Sequence, residues 1–188
     1  MKIFVVDNYD SFTFNIVELL RQFNDIEFSI YKNDAIPFDR VRLFDKVIIS
    51  PGPATPKESG ALMSFISEFH NKIPMLGICL GHQALAEFFG AKLKNLQMPF
   101  HGYHTTIKII GQHKIFSKIN EEEMKVGLYH SWIVSQDSFP SCLDVTSYSK
   151  ENHIMSFKHS KYDLHGIQFH PESYMTDKGK YILEGFIN

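Results

Sequence analysis

Along the first half of the chain, apolar and polar positions come in alternating blocks. Ile3-Phe4-Val5-Val6 is a continuous apolar run, as expected of a strand covered on both faces, and it ends in the polar turn Asp7-Asn8-Tyr9-Asp10-Ser11. From Phe12 the apolar positions Phe12, Ile16, Leu19, Leu20 and Phe23 recur at helical spacing, with Asp10 or Ser11 placed to cap the helix. Glu27 to Tyr31 alternates like a strand, and Asp45 to Ser50 is a second apolar run, stopped by Pro51-Gly52-Pro53. The spacing of Ala61, Leu62, Phe65, Ile66 and Phe69 predicts a helix over 58–71. Met75 to Ile78 reads as a strand, and the segment after Cys79 as a helix reaching about Phe89.

The second half changes period. His104 to Ile110, Val126 to Val134, Asp144 to Tyr148, Ile154 to His159 and Leu164 to Phe169 are strand-like, and Asp177 to Phe186 closes the chain as a helix. Alternating strands and helices followed by consecutive strands predict an α/β fold. Its core is a doubly wound, mostly parallel, flavodoxin-like sheet with helices on both faces, carrying a small antiparallel extension. No linker, internal repeat or low-complexity segment divides the sequence, so residues 1–188 read as a single domain. In such sheets ligands sit at the carboxyl ends of the strands, so Asp7, Ser50-Pro51-Gly52 and Cys79 are expected to line one crevice.

Composition narrows the classes. With 44% hydrophobic and 21% charged residues, the 188-residue chain resembles ordinary globular proteins. A formal net charge of −2 offers no electrostatic case for nucleic acid or an anionic membrane. The two cysteines, Cys79 and Cys142, stand in unrelated contexts and form no disulfide framework, so a reduced compartment is the simpler inference. The opening strand is no signal peptide and no apolar run reaches bilayer length, which together predict a cytoplasmic protein.

The segment with most chemical content is Leu76-Gly77-Ile78-Cys79-Leu80-Gly81-His82-Gln83. A strand running through Gly-x-Cys-x-Gly directly into a helix has the layout of a nucleophile elbow, with Cys in place of Ser. The turn is tight, the thiol stands at a helix N-terminus that favours thiolate, and the Leu80 N–H is left where an oxyanion could form. Read alone, Cys79 is more simply a small buried hydrophobe in a βα turn. His170-Pro171-Glu172 weighs against that. It follows an apolar strand, and in extended chain His170 and Glu172 project to the same side. A Cys activated by a His that a carboxylate orients is the triad logic of covalent catalysis.

These motifs, with Ser50-Pro51-Gly52-Pro53, Tyr129-His130-Ser131 and Gly166-Ile167-Gln168-Phe169-His170-Pro171-Glu172-Ser173, resemble those of the class I (triad) glutamine amidotransferases. The start Asp7-Asn8-Tyr9-Asp10-Ser11-Phe12 is most similar to the small glutaminase subunits of anthranilate synthase and aminodeoxychorismate synthase. The resemblance implies hydrolysis of L-glutamine, with ammonia passed to a protein partner, the chorismate-binding synthase subunit. It implies Cys79 as nucleophile, His170 as base and then acid, and Glu172 as the group that holds His170. It further implies an oxyanion hole from the N–H groups of Gly52 and Leu80, and glutamine held by Gln83, Ser131, Trp132 and the loop Gly52-Pro53-Ala54. No metal or organic cofactor is required by that chemistry.

The chain departs from the family pattern at four places. Ala54 stands where the family has Gly, Tyr103 where it has Lys, Leu128 where it has Arg, and Trp132 where it has Leu. None is a triad member. His101, His104 and His113 match no standard metal spacing and read as strand or loop histidines. Cys142 reads as an inert small hydrophobe, and Glu121-Glu122-Glu123 as a solvated turn. The turn Asn8 to Ser11 is either a helix cap or a partner contact. A glutaminase with a nucleotide-amidating partner, a non-catalytic module on the same fold, and a flavodoxin-like electron carrier fit the motifs less well.

Overall fold

The computed structural model describes the backbone of residues 1–188 and every side chain except that of Ser138. The chain opens with β1 (Lys2–Asp7), α1 (Thr13–Leu20), β2 (Glu27–Lys32), β3 (Lys46–Ile49), α2 (Leu62–Phe69), β4 (Met75–Ile78) and α3 (Leu80–Phe88). There follow β5 (Leu93–Asn95), β6 (Tyr103–Ile109), β7 (Glu123–Leu128), β8 (Trp132–Val134), β9 (Leu143–Ser149), β10 (Ile154–His159), β11 (Leu164–Ile167) and α4 (Gly179–Ile187).

Nine strands make one sheet in the order β2-β1-β3-β4-β11-β10-β9-β6-β7, and β5 pairs with β8 in a separate ribbon. From β2 to β11 the neighbours run parallel; from β11 to β7 they run antiparallel. The antiparallel extension therefore comprises β10, β9, β6 and β7, continuous with the parallel strands. Residues along β1 show how the sheet is covered. Ile3 and Val5 pack with Ile16 and Leu20 of α1 and with Ile182, Leu183 and Phe186 of α4. Phe4 and Val6 pack with Leu62, Phe65, Ile66 and Phe69 of α2 and with Ala84 and Leu85 of α3. Successive side chains point to opposite faces, so an unbroken apolar run needs a helix layer on each side. The doubly wound α/β expectation holds.

Several local expectations need correction. No side chain caps α1: Phe12 occupies the cap position, while Asp10 Oδ1 accepts from the Phe12 N–H at 2.8 Å, one step upstream. The turn is thus an Asx-type turn that delivers Phe12, rather than a cap made by Asp10 or Ser11. The predicted helix 58–71 loses its first turn. Pro56–Glu58 is a separate 3₁₀ turn closed by a Thr55–Glu58 capping box, and α2 starts at Leu62. The run Val126 to Val134 is no single strand: β7 stops at Leu128, β8 starts at Trp132, and the two lie in different sheets. Likewise β11 ends at Ile167, so Gln168 and Phe169 continue past the ladder.

Both ends of α4 are tied down. At its start a Cβ on Gly179 would stand 1.8 Å from the Pro171 carbonyl oxygen, so the helix abuts the His170–Glu172 turn with no room for a side chain. At its end the buried Lys46 ammonium donates to the Phe186 and Ile187 carbonyls, each at 2.6 Å, satisfying acceptors that a helix C-terminus leaves free. Lys46→Met should keep the packing of the stem and lose these bonds. The expected cost is about 1–3 kcal/mol in urea unfolding, with faster amide exchange confined first to the last turn of α4.

Candidate functional site

Parallel neighbours β1, β3, β4 and β11 bring the ends of four strands to one edge, and the candidate residues leave from there. Between β4 and α3 the chain has no slack. Cys79 adopts φ 52°, ψ −99°, a conformation that costs a non-glycine residue about 1–3 kcal/mol. Its N–H donates to Ile167 O at 2.8 Å and its carbonyl accepts from Gln83 N–H at 3.0 Å, which locks the turn between β11 and α3. A Cβ on Gly77 would lie 2.4 Å from the Gly81 carbonyl, and one on Gly81 would lie 2.6 Å from Ile49 O. Glycine is required at both positions because backbone passes directly over each. Leu80, as first residue of α3, has an N–H with no intrahelical acceptor. Gly52 packs against it: a Cβ there would stand 2.5 Å from Leu80 Cδ2 and 2.6 Å from Asn8 Cβ.

His170 and Glu172 leave the end of β11 and are buried, at 1% and 8% exposure. Imidazole Nδ1 meets Glu172 Oε1 at 2.7 Å, while Nε2 has no hydrogen-bond partner among the described residues. The ring is anchored through its backbone. Its N–H donates to Gly127 O at 3.1 Å, and its carbonyl accepts from the Thr176 hydroxyl at 2.5 Å. Burial alone would favour neutral imidazole, but the charges of Glu172 and Cys79 outweigh it and hold His170 well above its ordinary value. Two aromatic rings pack on the imidazole: Phe12 at 5.4 Å and Tyr129 at 5.0 Å between centroids. Phe12 is held there by the Asp7–Ser11 turn.

Beside Cys79 lies a cavity of about 200 Å³ lined by Gly52, Pro53, Ala54, Gln83, Ser131 and Trp132, with His101, Tyr129 and His130 completing the wall. It is smaller than pockets for drug-sized ligands and suits one small amino acid. The break between β7 and β8 supplies Tyr129, His130 and Ser131. Leu80, His170 and Glu172 are not in the lining; they lie buried around Cys79. Asp7 and Ser50, expected to line the crevice, do not. Asp7 is consumed by Lys32 at 2.6 Å, Thr13 at 3.0 Å and the Tyr9 N–H, and Ser50 bonds Asn8. These polar groups build the turn under the site. His130 is held near pKa 3 chiefly by burial, with the His170 charge adding to it, so its ring is neutral where the cell works.

The three further histidines part company. His101 lines the cavity, His104 belongs to β6, and His113 bonds the Ile110 carbonyl. Cys142 is partly buried beside the α2–α3 core cluster. Of the four residues that depart from the family pattern, Tyr103 and Leu128 are cross-strand partners in the β6–β7 ladder. Ala54 keeps a left-handed backbone, φ 62°, that glycine would adopt freely. Sequence reading passed over Gln168, which donates to Cys79 Sγ at 3.6 Å. The period-two rule that paired His170 with Glu172 extends back to Gln168 and could have found it.

A model of the class I glutamine amidotransferases matches residues 4–188. The chain belongs to that family. It is 40% identical over 187 residues to the aminodeoxychorismate/anthranilate synthase component 2 of Bacillus subtilis, covering 98% of this chain and 95% of that one. It is 37% identical over 188 residues to the aminodeoxychorismate synthase component 2 of Escherichia coli, covering 99% of each. Among solved structures, a Thermoplasma acidophilum protein provisionally described as one subunit of a GMP synthase superposes with a TM-score of 0.88 at 27% identity, over 100% of this chain and 92% of that one. A glutamine amidotransferase of Thermotoga maritima, 17% identical with TM-score 0.76 over 92% and 76% of the two chains, shares the fold. Among the described residues no helix is long and apolar enough to cross a membrane.

Two outcomes follow from the geometry. Ala54→Gly should raise stability or leave it level, relief of the left-handed strain (about 1 kcal/mol) being offset by greater freedom of the unfolded chain; a clear loss in thermal melts would mean the Ala methyl packs productively. Glu172→Gln keeps the hydrogen bond and removes the charge. A His pKa raised by folding contributes stability that is complete below the unfolded value of about 6.5 and disappears as pH rises through the folded value. The variant should therefore be less stable than the parent near about pH 6 and approach it as pH rises through the folded value, as read by urea midpoints.

Proposed function

We propose that this amidotransferase is the glutaminase subunit of a chorismate-aminating synthase, with Cys79, His170 and Glu172 as its triad. The observation that carries the reading is the strained Cys79 at a helix N-terminus, next to a buried His170 whose other nitrogen is held by Glu172 at 2.7 Å. Glutamine enters the cavity with its γ-carboxamide at Cys79. Gln83 commits its amide hydrogens to Trp132 O and Gln168 Oε1, which leaves its own oxygen for the substrate ammonium. Ser131, Trp132 and the Gly52-Pro53-Ala54 loop enclose the α-amino and carboxylate end.

The Cys79 thiolate attacks the amide carbon, and negative charge moves to the carbonyl oxygen. The N–H groups of Leu80 and Gly52 receive it; removing one donor from such a hole costs about 3–4 kcal/mol in other enzymes. With Nδ1 tied to Glu172, His170 Nε2 is the atom free to give a proton to the departing nitrogen. Ammonia leaves and a γ-glutamyl thioester remains. Water then gives its proton to the same nitrogen, adds to the thioester and releases glutamate and the Cys79 thiolate. Besides glutamine and one water, each step uses only side chains and backbone.

The acceptor is inferred from the relatives. The Haemophilus influenzae relative, 37% identical over 187 residues, is named for anthranilate synthase component II, the Escherichia coli one for aminodeoxychorismate synthase, and the Bacillus subtilis one for both. We assign the ammonia to anthranilate synthesis, with aminodeoxychorismate synthesis, or both, as the alternative; the product formed with the co-purified synthase subunit distinguishes them. A glutamine-like diazo-ketone should label Cys79 and no other residue, as located by peptide mass. Cys79→Ser should lower glutamine-dependent amination by about a thousandfold or more while ammonia-dependent amination by the complex persists. Labelling elsewhere, or loss of both activities, would sink the triad assignment.

A further inference from the structure

Gln168 is fully buried, 0% exposed, and its backbone N–H is pinned to Met155 O at 2.8 Å. Its side chain joins Gln83 and Cys79. We propose that Gln168 is a hydrogen-bond donor to the nucleophile, fixed in the donating orientation by a relay that starts at the Trp132 carbonyl. The inference rests on the reading of Cys79 as nucleophile.

The orientation follows from donor and acceptor counting. A carbonyl oxygen only accepts, so the Gln83 atom 2.8 Å from Trp132 O must be the amide nitrogen. The same nitrogen lies 3.1 Å from the Gln168 amide, which must therefore turn its oxygen to Gln83. That leaves the Gln168 nitrogen facing Cys79 Sγ at 3.6 Å. Flipping either amide would oppose two acceptors or two donors in the buried Gln83–Gln168 contact, which is costly. An amide N–H aimed at sulfur favours the thiolate over the thiol, since hydrogen bonds to a charged acceptor are the stronger kind. The gain applies at two points, to the resting nucleophile and to the thiolate expelled when water opens the thioester. Nucleophilicity falls only about half as steeply as thiolate population rises, so the donor is a net advantage near neutrality.

The relay also links the cavity wall to the sulfur. Trp132 and Gln83 line the substrate space, and Gln168 stands outside it. The titratable groups around Cys79 are His170 with Glu172 on its far nitrogen, His101, Tyr129 and His130 across the cavity, and His82 on α3, which packs on Phe157. All of them are common to the unaltered chain and to variants at residue 168.

The test is the pH dependence of Cys79 alkylation by iodoacetamide in the full chain, located by peptide mass. Gln168→Glu keeps the acceptor for Gln83 and replaces the donor with a second acceptor. Its alkylation profile should move up by about one pH unit, with the rate near neutrality about threefold lower, because the remaining thiolate is the more nucleophilic. Gln168→Met removes the donor without adding charge and should move the profile the same way by less. In the complex with its synthase subunit, Gln168→Glu, which keeps the acceptor for Gln83, should lower kcat for glutamine while KM changes little. Profiles that stay put in folded variants, whatever happens to activity, would overturn the proposal. Should Gln168→Glu fail to fold, the Gln168→Met profile decides. If Cys79 of the unaltered chain alkylates no faster than Cys142, the nucleophile reading itself fails, an outcome separate from the other two.

Discussion

The whole arrangement depends on how closely backbone passes backbone at the turn after β4. Ile49 O lies where a side chain of Gly81 would begin, and the Gly81 carbonyl lies where one of Gly77 would begin. With those two approaches made, the chain between them has one path, and it forces Cys79 into a positive-φ conformation. A conformation of this kind persists only where its surroundings over-determine it. Here the surroundings are the parallel ladder of β3, β4 and β11 and the first turn of α3. The strain is borne by the sheet, and its product is a sulfur held at a helix N-terminus with little freedom to turn away.

Everything else near the sulfur is positioned from neighbouring strand ends. β11 carries Gln168, His170 and Glu172 outward in a two-residue period. β7, through Gly127, fixes the His170 backbone, and the β1–α1 turn supplies the Phe12 ring. That turn contains buried Asp7 and Asn8, whose hydrogen bonds reach β2, β3 and Thr13. Asp7 and Asn8 spend their bonds inward, whereas Tyr9, braced by Lys32 over its ring at 4.3 Å and by Asp34, and Ser11 stay exposed. The turn is thus a support for the imidazole. α4, pressed on Pro171 at its start and clamped by Lys46 at its end, packs on the same sheet face as α1.

Pocket and triad have different origins. The triad comes from strand ends in the parallel half. Much of the pocket wall comes from the stretch where the antiparallel half lets go, between β7 and the short β8. Tyr103 and Leu128, which replace two cationic positions of the family, are cross-strand partners on the approach to that stretch. Tyr103 is half exposed and stacks on Phe100, while Leu128 is buried.

How much was legible beforehand depended on the range of the cause. Unbroken apolar runs at β1, β3 and β4 determined buried strands, and hence helices on both faces, because each strand must cover two sides. Gly77-x-Cys79-x-Gly81 determined the elbow, because the steric demand is local to five residues. The His170–Glu172 pairing was readable from the period of extended chain. Tertiary structure alone decided that Val126 to Val134 breaks between sheets, since each half of that apolar run makes an acceptable strand and only the distant partners β6 and β5 choose its ends. It alone decided that Asp7 would be spent on Lys32 and that Gln168 would face the sulfur, because a hydrogen bond between residues 25 or 89 positions apart leaves no mark in either's neighbours. Sequence set the conformations that sterics impose within a few residues; the partners of buried polar groups were set by the packing of the sheet.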